Sequence, residues 1–326
     1  MSDRIVLQVE NLHTSFFTRL GEVKVIDGVS FYVREGETLG IVGESGCGKT
    51  VTGLSIIRLL PEPAGKVVGG KILLDGSDLL KLSQKEMREY RGKKITMILQ
   101  DPMTSLNPVY PIGDQIAESI RLHRNLSEGE VLKEVISTLK LLRIPAPQMR
   151  LRDYPFQLSG GMRQRVVGAI AMSCRPRLLI ADEPTTALDA TIQAQYIALF
   201  KEIQRETGVA IVFITHDFGV IANICHRVAV MYAGKIVETA RTRELFKNPQ
   251  HPYTIALMES VPRLDQKTDR LYSIQGQPPS LANLPPGCRF LPRCSDPLDF
   301  CHEREPEEKV IGDEHSVSCW RMWRTN

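Results

Sequence analysis

Short apolar runs and helical patterns alternate along the first 250 residues of the chain. Apolar runs at 38–42, 178–181 and 210–215 end at glycine or charged residues, or are rich in β-branched side chains, and predict buried strands. Helical patterns follow the first two runs, at 49–60 and 190–206. Because strands that alternate with helices favour a parallel sheet covered by helices, the pattern predicts an α/β domain.

Two stretches depart from this alternation. The segment around 101–175 holds helical patterns at 112–123 and 127–142 and almost no strand character, so we expect a small helical subdomain inserted into the sheet domain. Toward the C-terminus, frequent prolines interrupt every regular pattern. The sequence therefore predicts a first domain over 1–250 and a separate, loop-rich C-terminal extension over 251–326.

Composition narrows the class of protein. The 41 basic and 38 acidic side chains leave a formal net charge of +3, which gives no support to nucleic-acid binding by bulk charge. No apolar run approaches the ~18 residues needed to cross a bilayer, and the N-terminus lacks the layout of a secretion signal. We therefore expect a soluble, cytosolic protein with no transmembrane segment, no signal peptide and no nucleic-acid partner.

A glycine-rich loop at residues 43–50 fits the pattern G-x-x-x-x-G-K-[ST] in full, between a predicted strand and a predicted helix. Glycines let successive backbone N–H groups turn toward one anion, and the helix start adds partial positive charge. We expect Lys49 to reach the β- and γ-phosphates and the Thr50 hydroxyl to ligate Mg²⁺. The predicted phosphate-binding residues are Gly43, Glu44, Ser45, Gly46, Cys47, Gly48, Lys49 and Thr50.

Polar residues also follow two of the buried strands. Asp182 is suited to hold Mg²⁺ through water, and Glu183 to orient or deprotonate an attacking water. His216 follows the run 210–215, where it is placed to contact a γ-phosphate. Two alternatives stay open. Asp182 and Glu183 could only cap a helix, and His216 could have a structural role.

A second candidate anion site is the segment 158–162, which precedes another helical pattern. Ser159 is a good N-cap, and the glycines after it expose backbone N–H groups at the helix start. One nucleotide does not need two such cradles. The sequence therefore predicts a dimer in which this loop closes on the γ-phosphate held by the partner.

Taken in chain order, these motifs resemble those of the ATP-binding cassette (ABC) ATPases over about residues 1–250. The resemblance implies an α/β fold of the P-loop NTPase type, in which two cassettes sandwich two ATP molecules. The family's Walker A loop, Q-loop, signature, Walker B, D-loop and switch histidine correspond in that order to 43–50, Gln100, 158–162, 178–183, 187–189 and His216.

The resemblance also implies roles for single residues. Glu183, His216 and Gln100 are implied as catalytic residues of ATP hydrolysis. Mg²⁺ is implied to bind through Thr50, Gln100 and Asp182.

Further roles concern the partner cassette and the adenine. The residues implied to act on the partner's nucleotide are Ser159, Gly160, Gly161 and Met162, and Met162 stands where many members have glutamine. Asp189 belongs to the D-loop. The family's adenine-stacking aromatic residue lies upstream of the Walker A loop, where we favour Phe16 over Phe17.

Segments outside these motifs narrow the resemblance. The segments 248–254, 276–280 and 286–294, together with 101–107 and 231–234, resemble the ATPases of dipeptide and oligopeptide importers, a peptide/nickel subfamily. This resemblance covers nearly the whole chain and implies a subunit that couples ATP hydrolysis to peptide uptake. A nickel importer ATPase of the same subfamily, and a non-transport ABC ATPase with a regulatory or redox-sensing role, are the alternatives.

The same resemblance implies where and with what such a subunit works. It is implied to be a peripheral protein at the cytoplasmic face of the inner membrane. Its implied partners are a second ABC ATPase subunit, two integral-membrane permeases and an extracytoplasmic substrate-binding protein. We favour a paralogous second ATPase subunit and hence a heterodimer, and a homodimer stays open.

The last group of candidate residues is a set of four cysteines in the C-terminal extension, Cys288, Cys294, Cys301 and Cys319. Their spacing matches neither paired zinc ligands nor common ferredoxin runs, so it supports only a four-thiolate metal site. The peptide-importer resemblance implies a [4Fe–4S] cluster. Zinc, and free thiols or a disulfide, are the alternatives.

Overall fold

The computed structural model describes residues 3–100, 105–186, 188–261 and 273–323. The chain forms two compact units, each assembled from separate segments. Unit one comprises Met1–Gln8, Tyr32–Thr38 and Ile72–Ile214, and unit two comprises Val9–Phe31, Leu39–Lys71 and Thr215–Asn326.

The described residues form strands that we number in chain order. They are β1 (Ile5–Thr18), β2 (Gly21–Arg34), β3 (Thr38–Val42), β4 (Gly65–Leu74), β5 (Ser77–Asp78), β6 (Ile95–Ile98), β7 (Leu178–Asp182), β8 (Ala210–Thr215), β9 (Arg227–Tyr232), β10 (Lys235–Arg241), β11 (Lys309–Gly312) and β12 (His315–Val317).

The α-helices of the described residues are numbered in the same way. They are α1 (Lys49–Ile56), α2 (Gln84–Tyr90), α3 (Ile112–His123), α4 (Glu128–Leu141), α5 (Pro147–Arg150), α6 (Gly160–Met172), α7 (Ala190–Thr207), α8 (Phe218–Ile224), α9 (Thr242–Lys247), α10 (Pro252–Glu259) and α11 (Phe300–Glu303). Within the described ranges, none of these helices is both long enough and apolar enough to cross a membrane.

Unit one contains a parallel sheet in which β7 pairs with both β6 and β8. Every residue of β7 and β8 is buried, as the near-continuous apolar runs predict for strands covered on both faces. Phe200 of α7 packs edge-on against Tyr196 and against Phe213 of β8, with ring centroids 4.9 and 5.9 Å apart. These contacts fix α7 on the sheet and confirm the predicted α/β arrangement.

The predicted helical subdomain has its two main helices where the pattern places them, α3 and α4 in unit one. Ile112, Ile116 and Ile120 of α3 are buried at i, i+4 spacing, which gives that helix one apolar face. The α4 helix starts with a capping box, in which Ser127 and Glu130 satisfy each other's backbone N–H groups.

Unit two also contains a parallel pair, β3 and β9, and β10 continues antiparallel to β9. β12 pairs antiparallel with β10, and β11 pairs with β12. The C-terminal residues therefore extend this sheet, whereas the sequence predicted a separate, loop-rich extension. Glu238 of β10 holds these residues on the sheet. It is 1% exposed, accepts a hydrogen bond from the His251 N–H at 2.9 Å and pairs with His315 of β12 at 2.9 Å.

The first predicted helix, over 49–60, is shorter in the structure and ends at Ile56. Arg58 adopts a left-handed conformation with φ 54°, and the Leu59 N–H bonds the Leu54 carbonyl at 2.9 Å. This hydrogen bond and the left-handed Arg58 form a Schellman motif, which ends the helix. Pro61 follows two residues after Leu59. The apolar pattern alone did not reveal this stop.

Candidate nucleotide-binding site

The phosphate loop, residues 43–50, connects β3 to α1 within unit two. Gly48 caps the helix with φ 110°, in the left-handed region that favours glycine. A Cβ atom at Gly48 would lie 2.8 Å from Cδ1 of Ile26 and 2.9 Å from Cε of Met231, so both side-chain ends would have to shift to admit one. The turn into α1 therefore requires glycine at this position.

Lys49 supplies the positive charge of this loop. Its side chain lies inside the turn, and the residue is 6% exposed. Its Nζ donates to the carbonyls of Gly43 at 2.7 Å and Glu44 at 2.9 Å. An ammonium group inside a glycine-rich loop, at the N-terminus of a helix, provides the positive charge and N–H donors that suit a phosphate group.

Cys47 lies in the same loop but is not a reactive group. Its side chain is buried, and a Cβ atom at Gly43 would lie 2.8 Å from its sulfur. Burial raises the pKa of the Cys47 thiol above its ordinary value, and the nearby Lys49 charge offsets this only in part. The thiol is thus a small packing group rather than a thiolate nucleophile.

The acidic pair lies at the end of β7 in unit one. Asp182 is 1% exposed, and Glu183 has a left-handed backbone with φ 46°. The Oε2 atom of Glu183 accepts hydrogen bonds from Gln100 Nε2 and from Thr186 Oγ1, both at 3.0 Å. The structure thereby brings together the predicted Q-loop glutamine and the predicted catalytic carboxylate, 83 residues apart in sequence.

The signature segment, residues 158–162, also lies in unit one and starts α6. Ser159 is the N-cap, and its hydroxyl accepts from the Met162 N–H at 3.4 Å. A Cβ atom built on Gly160 would meet nothing within 4 Å, so this glycine leaves the helix start open to an approaching group. The N-cap prediction for Ser159 is confirmed.

Gln164 of α6 is a residue that the sequence pattern did not single out. It is 2% exposed, and its Nε2 donates to the carbonyl of Pro184, one residue beyond Glu183. The main-chain carbonyl of Gln164 accepts a hydrogen bond from the Tyr196 hydroxyl at 3.1 Å. Gln164 therefore connects the signature helix to the segment that carries the acidic pair. In the sequence, only its position in a helix directly after the signature segment indicated that it could have such a role.

The remaining motif residues lie at the ends of strands and helices. Asp189 caps α7 by accepting from the N–H groups of Thr191 and Ile192 at 3.0 Å. His216 directly follows β8 and is exposed. The D-loop residue Ala187, and residues 101–104 of the segment after Gln100, lie outside the described residues.

The two aromatic candidates for adenine stacking differ in exposure. Phe17 is 45% exposed, and the Lys66 Nζ lies 5.6 Å from its ring centroid. Phe16 is half-buried, and its ring lies 3.3 Å from the position of a Cβ atom at Gly65. Phe17 thus has the more accessible ring face, although the sequence favoured Phe16.

The four C-terminal cysteines lie in one region of unit two and form no disulfide. The Cys288 N–H donates to the Cys301 carbonyl at 2.8 Å. Burial raises the pKa of the Cys288 thiol to about 12 and that of Cys319 to about 11, and charges on neighbouring cysteines add to both shifts. Across the described ranges, however, no group of three or more His, Cys, Asp or Glu side chains is arranged so that it could hold a metal ion. As arranged here, the four thiols do not fit a metal site.

The order and geometry of these motifs define a P-loop ATPase cassette. The family model "ABC transporter" matches residues 26–186. Among solved structures, the dimeric ATP-binding cassette MJ0796 bound to ADP and phosphate aligns with a TM-score of 0.64 and 25% identity, over 73% of this chain and 99% of that one.

The C-terminal part gives a narrower match. The family model "Oligopeptide/dipeptide transporter, C-terminal region" covers residues 237–301. The dipeptide transport ATP-binding protein DppD of Bacillus subtilis strain 168 is 53% identical, over 97% of this chain and 94% of the relative. The oligopeptide transport ATP-binding protein OppD of the same strain is 49% identical, over 97% and 89%. The chain belongs to the ATP-binding proteins of the ABC transporter family, in the branch that carries this C-terminal region.

Proposed function

We propose that this chain is the ATP-hydrolysing subunit of a prokaryotic ABC importer that takes up dipeptides and oligopeptides. The observation that carries the peptide assignment is the match of residues 237–301 to the C-terminal region of oligopeptide/dipeptide transporters. The extent of identity to DppD supports it along nearly the whole chain. In this proposal residues 1–250 are the ATPase domain, and residues 251–326 are the extension that marks the branch.

Glu183 is the proposed general base. Its carboxylate is oriented by hydrogen bonds from Gln100 and Thr186, and a carboxylate held in this way can accept the proton of an attacking water. In that step the water oxygen bonds to the γ-phosphorus, the bond to the leaving oxygen of ADP breaks, and the water proton passes to Glu183. His216 and Gln100 are proposed to contact the γ-phosphate and the water.

Mg²⁺ is the proposed cofactor, held through Thr50, Gln100 and Asp182. The oxygen-rich donor set suits this ion, and the bound ion would neutralise charge on the phosphates. Lys49 and the N–H groups of the phosphate loop supply the remaining positive field.

The signature segment is proposed to act on the nucleotide of a second cassette. The support is the open helix start at Gly160, where a phosphate from outside the chain can approach the glycine backbone; the Ser159 hydroxyl takes up the N–H of Met162. Met162 changes only a side chain there, so the anion-binding backbone is retained. The second cassette is proposed to be a paralogue, and a homodimer is the alternative.

A groove in the helical part of unit one is the proposed docking site for a permease. It has a volume of about 960 Å³ and is lined by residues of α3, α4 and the segment 148–152. Met149 is 79% exposed and Leu132 is 49% exposed there. Arg121 of α3 forms a two-pronged ion pair with Glu128 of α4, at 3.0 and 2.7 Å. An apolar floor with a charged rim suits a short amphipathic helix from a cytoplasmic loop of the permease.

A [4Fe–4S] cluster at the four cysteines is proposed on the sequence resemblance alone. Their arrangement would have to tighten for all four sulfurs to bind one cluster, and no step of ATP hydrolysis is assigned to it. Iron, sulfide and zinc analysis of anaerobically purified protein tests the assignment. About four irons and four sulfides per chain support it, and stoichiometric zinc or metal-free protein contradicts it.

Transport itself tests the proposed function. The chain, its companion ATPase and the two permeases are reconstituted in vesicles with the substrate-binding protein, and uptake of a labelled dipeptide and of labelled nickel is measured. ATP-dependent dipeptide uptake that is lost with Glu183→Gln is the expected result. Uptake of nickel alone would reassign the substrate, and failure of the chain to associate with the permeases would favour the non-transport ATPase.

A further inference from the structure

The phosphate loop is held from its outer side by a residue of the C-terminal extension. The guanidinium of Arg293 forms a two-pronged ion pair with the carboxylate of Glu44, at 2.6 and 2.9 Å. The Arg293 side chain is 2% exposed and that of Glu44 is 27% exposed, so the guanidinium is shielded from solvent and the carboxylate only in part. Paired, planar hydrogen bonds of this kind fix both position and orientation.

A second contact reaches the backbone of the same loop residue. The N–H of Glu44 donates to the hydroxyl of Tyr253 at 2.9 Å. Tyr253 is fully buried and packs against Tyr232 and Phe290, with ring centroids 4.5 and 5.4 Å apart. Glu44 is therefore held by both its side chain and its main chain.

A third contact runs through the other arginine of the same segment. Arg289 donates to the Ala233 carbonyl at 2.6 Å and pairs with Asp27. The next residue, Gly234, donates its N–H to the Cys47 carbonyl at 2.9 Å. Arg289 thus supports the turn that hydrogen-bonds the far side of the phosphate loop.

We propose that residues 288–294, here called the brace segment, position the phosphate loop for ATP, and that Arg293 is a positioning residue for nucleotide binding. The inference rests on ATP binding at residues 43–50. Glu44 places a negative carboxylate in a loop that must receive the negatively charged triphosphate. Arg293 neutralises that charge and also prevents the loop from losing its shape, so both the field and the geometry of the loop depend on it.

The test measures ATP affinity of the purified full-length chain with Mg²⁺, by displacement of a fluorescent ATP analogue. Arg293→Met should weaken ATP binding about tenfold, because it removes a charge-assisted pair and leaves Glu44 facing the triphosphate. Glu44→Gln combined with Arg293→Met should recover most of that loss, since the repelling carboxylate is gone. Arg304→Ala is the matched control, because Arg304 is an exposed arginine of the same extension whose side chain packs on Trp320.

Steady-state ATP hydrolysis distinguishes a positioning role of Arg293 in ATP binding from a general loss of catalytic activity. The KM for ATP should rise in Arg293→Met in step with the loss of affinity, while kcat stays within about twofold of wild type. A fall in kcat at unchanged KM would overturn the proposal. Affinity of Arg293→Met equal to that of wild type, or a double variant no tighter than Arg293→Met, would overturn it as well.

Two further variants keep the result decisive. If Arg293→Met does not fold, Arg293→Lys retains the charge and loses the two-pronged geometry; an affinity loss of about threefold supports the brace, and wild-type affinity refutes it. Lys49→Ala checks the premise. If Lys49→Ala binds ATP as wild type does, the phosphate loop is not the ATP site, and the proposed function fails independently of the brace.

Discussion

Replacing Lys49 with alanine tests the phosphate loop most directly. The change removes an ammonium group that the loop holds between two carbonyl oxygens, at 2.7 and 2.9 Å, in a residue only 6% exposed. A charge-assisted hydrogen bond between such a group and a phosphate oxygen contributes about 2 kcal/mol, which corresponds to about a 30-fold loss of ATP affinity. The loss should fall on ATP more than on AMP, because Lys49 is proposed to reach the β- and γ-phosphates.

Isothermal titration of ATP and AMP with Mg²⁺ measures this effect. Lys201→Ala is a suitable control, because Lys201 is an exposed lysine on α7. Equal affinity of Lys49→Ala and wild type for ATP would refute the proposed role of the ammonium. A loss of folding, seen by circular dichroism, would instead indicate that the two carbonyls need their donor, and Lys49→Arg would then carry the test.

Three other changes probe the Glu183 carboxylate, the core around Tyr196 and His251 at the start of α10. Glu183→Gln should bind ATP with wild-type affinity but release no phosphate, and normal turnover in a phosphate-release assay would exclude Glu183 as the base. Tyr196→Phe removes a buried hydrogen bond to the Gln164 carbonyl and should lower the free energy of unfolding by about 1 kcal/mol in urea titrations, with no change expected only if that bond contributes nothing. Burial lowers the pKa of His251, whose ring accepts the Tyr253 N–H, from 6.5 to about 3. Because the unfolded chain takes up that proton first, the stabilising contribution is complete above pH 6.5 and falls by about 1.4 kcal/mol per pH unit toward pH 3. The stability difference between wild type and His251→Asn should shrink over this range, and a constant difference would contradict the buried neutral histidine.

The fold was predictable where one physical signal dominates a segment. The runs at 38–42 and 210–215 form strands with those bounds, because a strand buried on both faces must be apolar at every position. The long strands β1 and β2 were not predicted, since their partly exposed residues show no such uniform pattern. The end of α1 at Ile56 depends on a left-handed residue, and helical periodicity does not report backbone handedness.

The candidate site divides in the same way. The places of Lys49 at the start of α1 and of Ser159 at the start of α6 were predicted from residue type and spacing, because each depends on a local turn. Gln164 was not identified from the sequence, because its contact with Pro184 depends on how a helix packs against a strand end that is distant in sequence. Residue type and spacing describe local geometry well, and they carry little information on which buried polar groups meet.

The proposed contact of the brace segment with the phosphate loop could not be predicted from the motifs of the C-terminal extension. The loop pattern leaves the position of Glu44 unspecified, and its partner Arg293 lies 249 residues away, in a proline-rich segment that has no periodicity. The pairing follows from tertiary packing: β12 joins β10, Phe290 is buried beside Tyr232 and Tyr253, and the guanidinium is thereby delivered to the carboxylate. An acidic residue in a loop that binds a polyanion is unfavourable by itself, so its presence there calls for a cation from outside the loop. Arg293 supplies that cation, and through it the proposed brace segment joins the C-terminal region to the proposed nucleotide site.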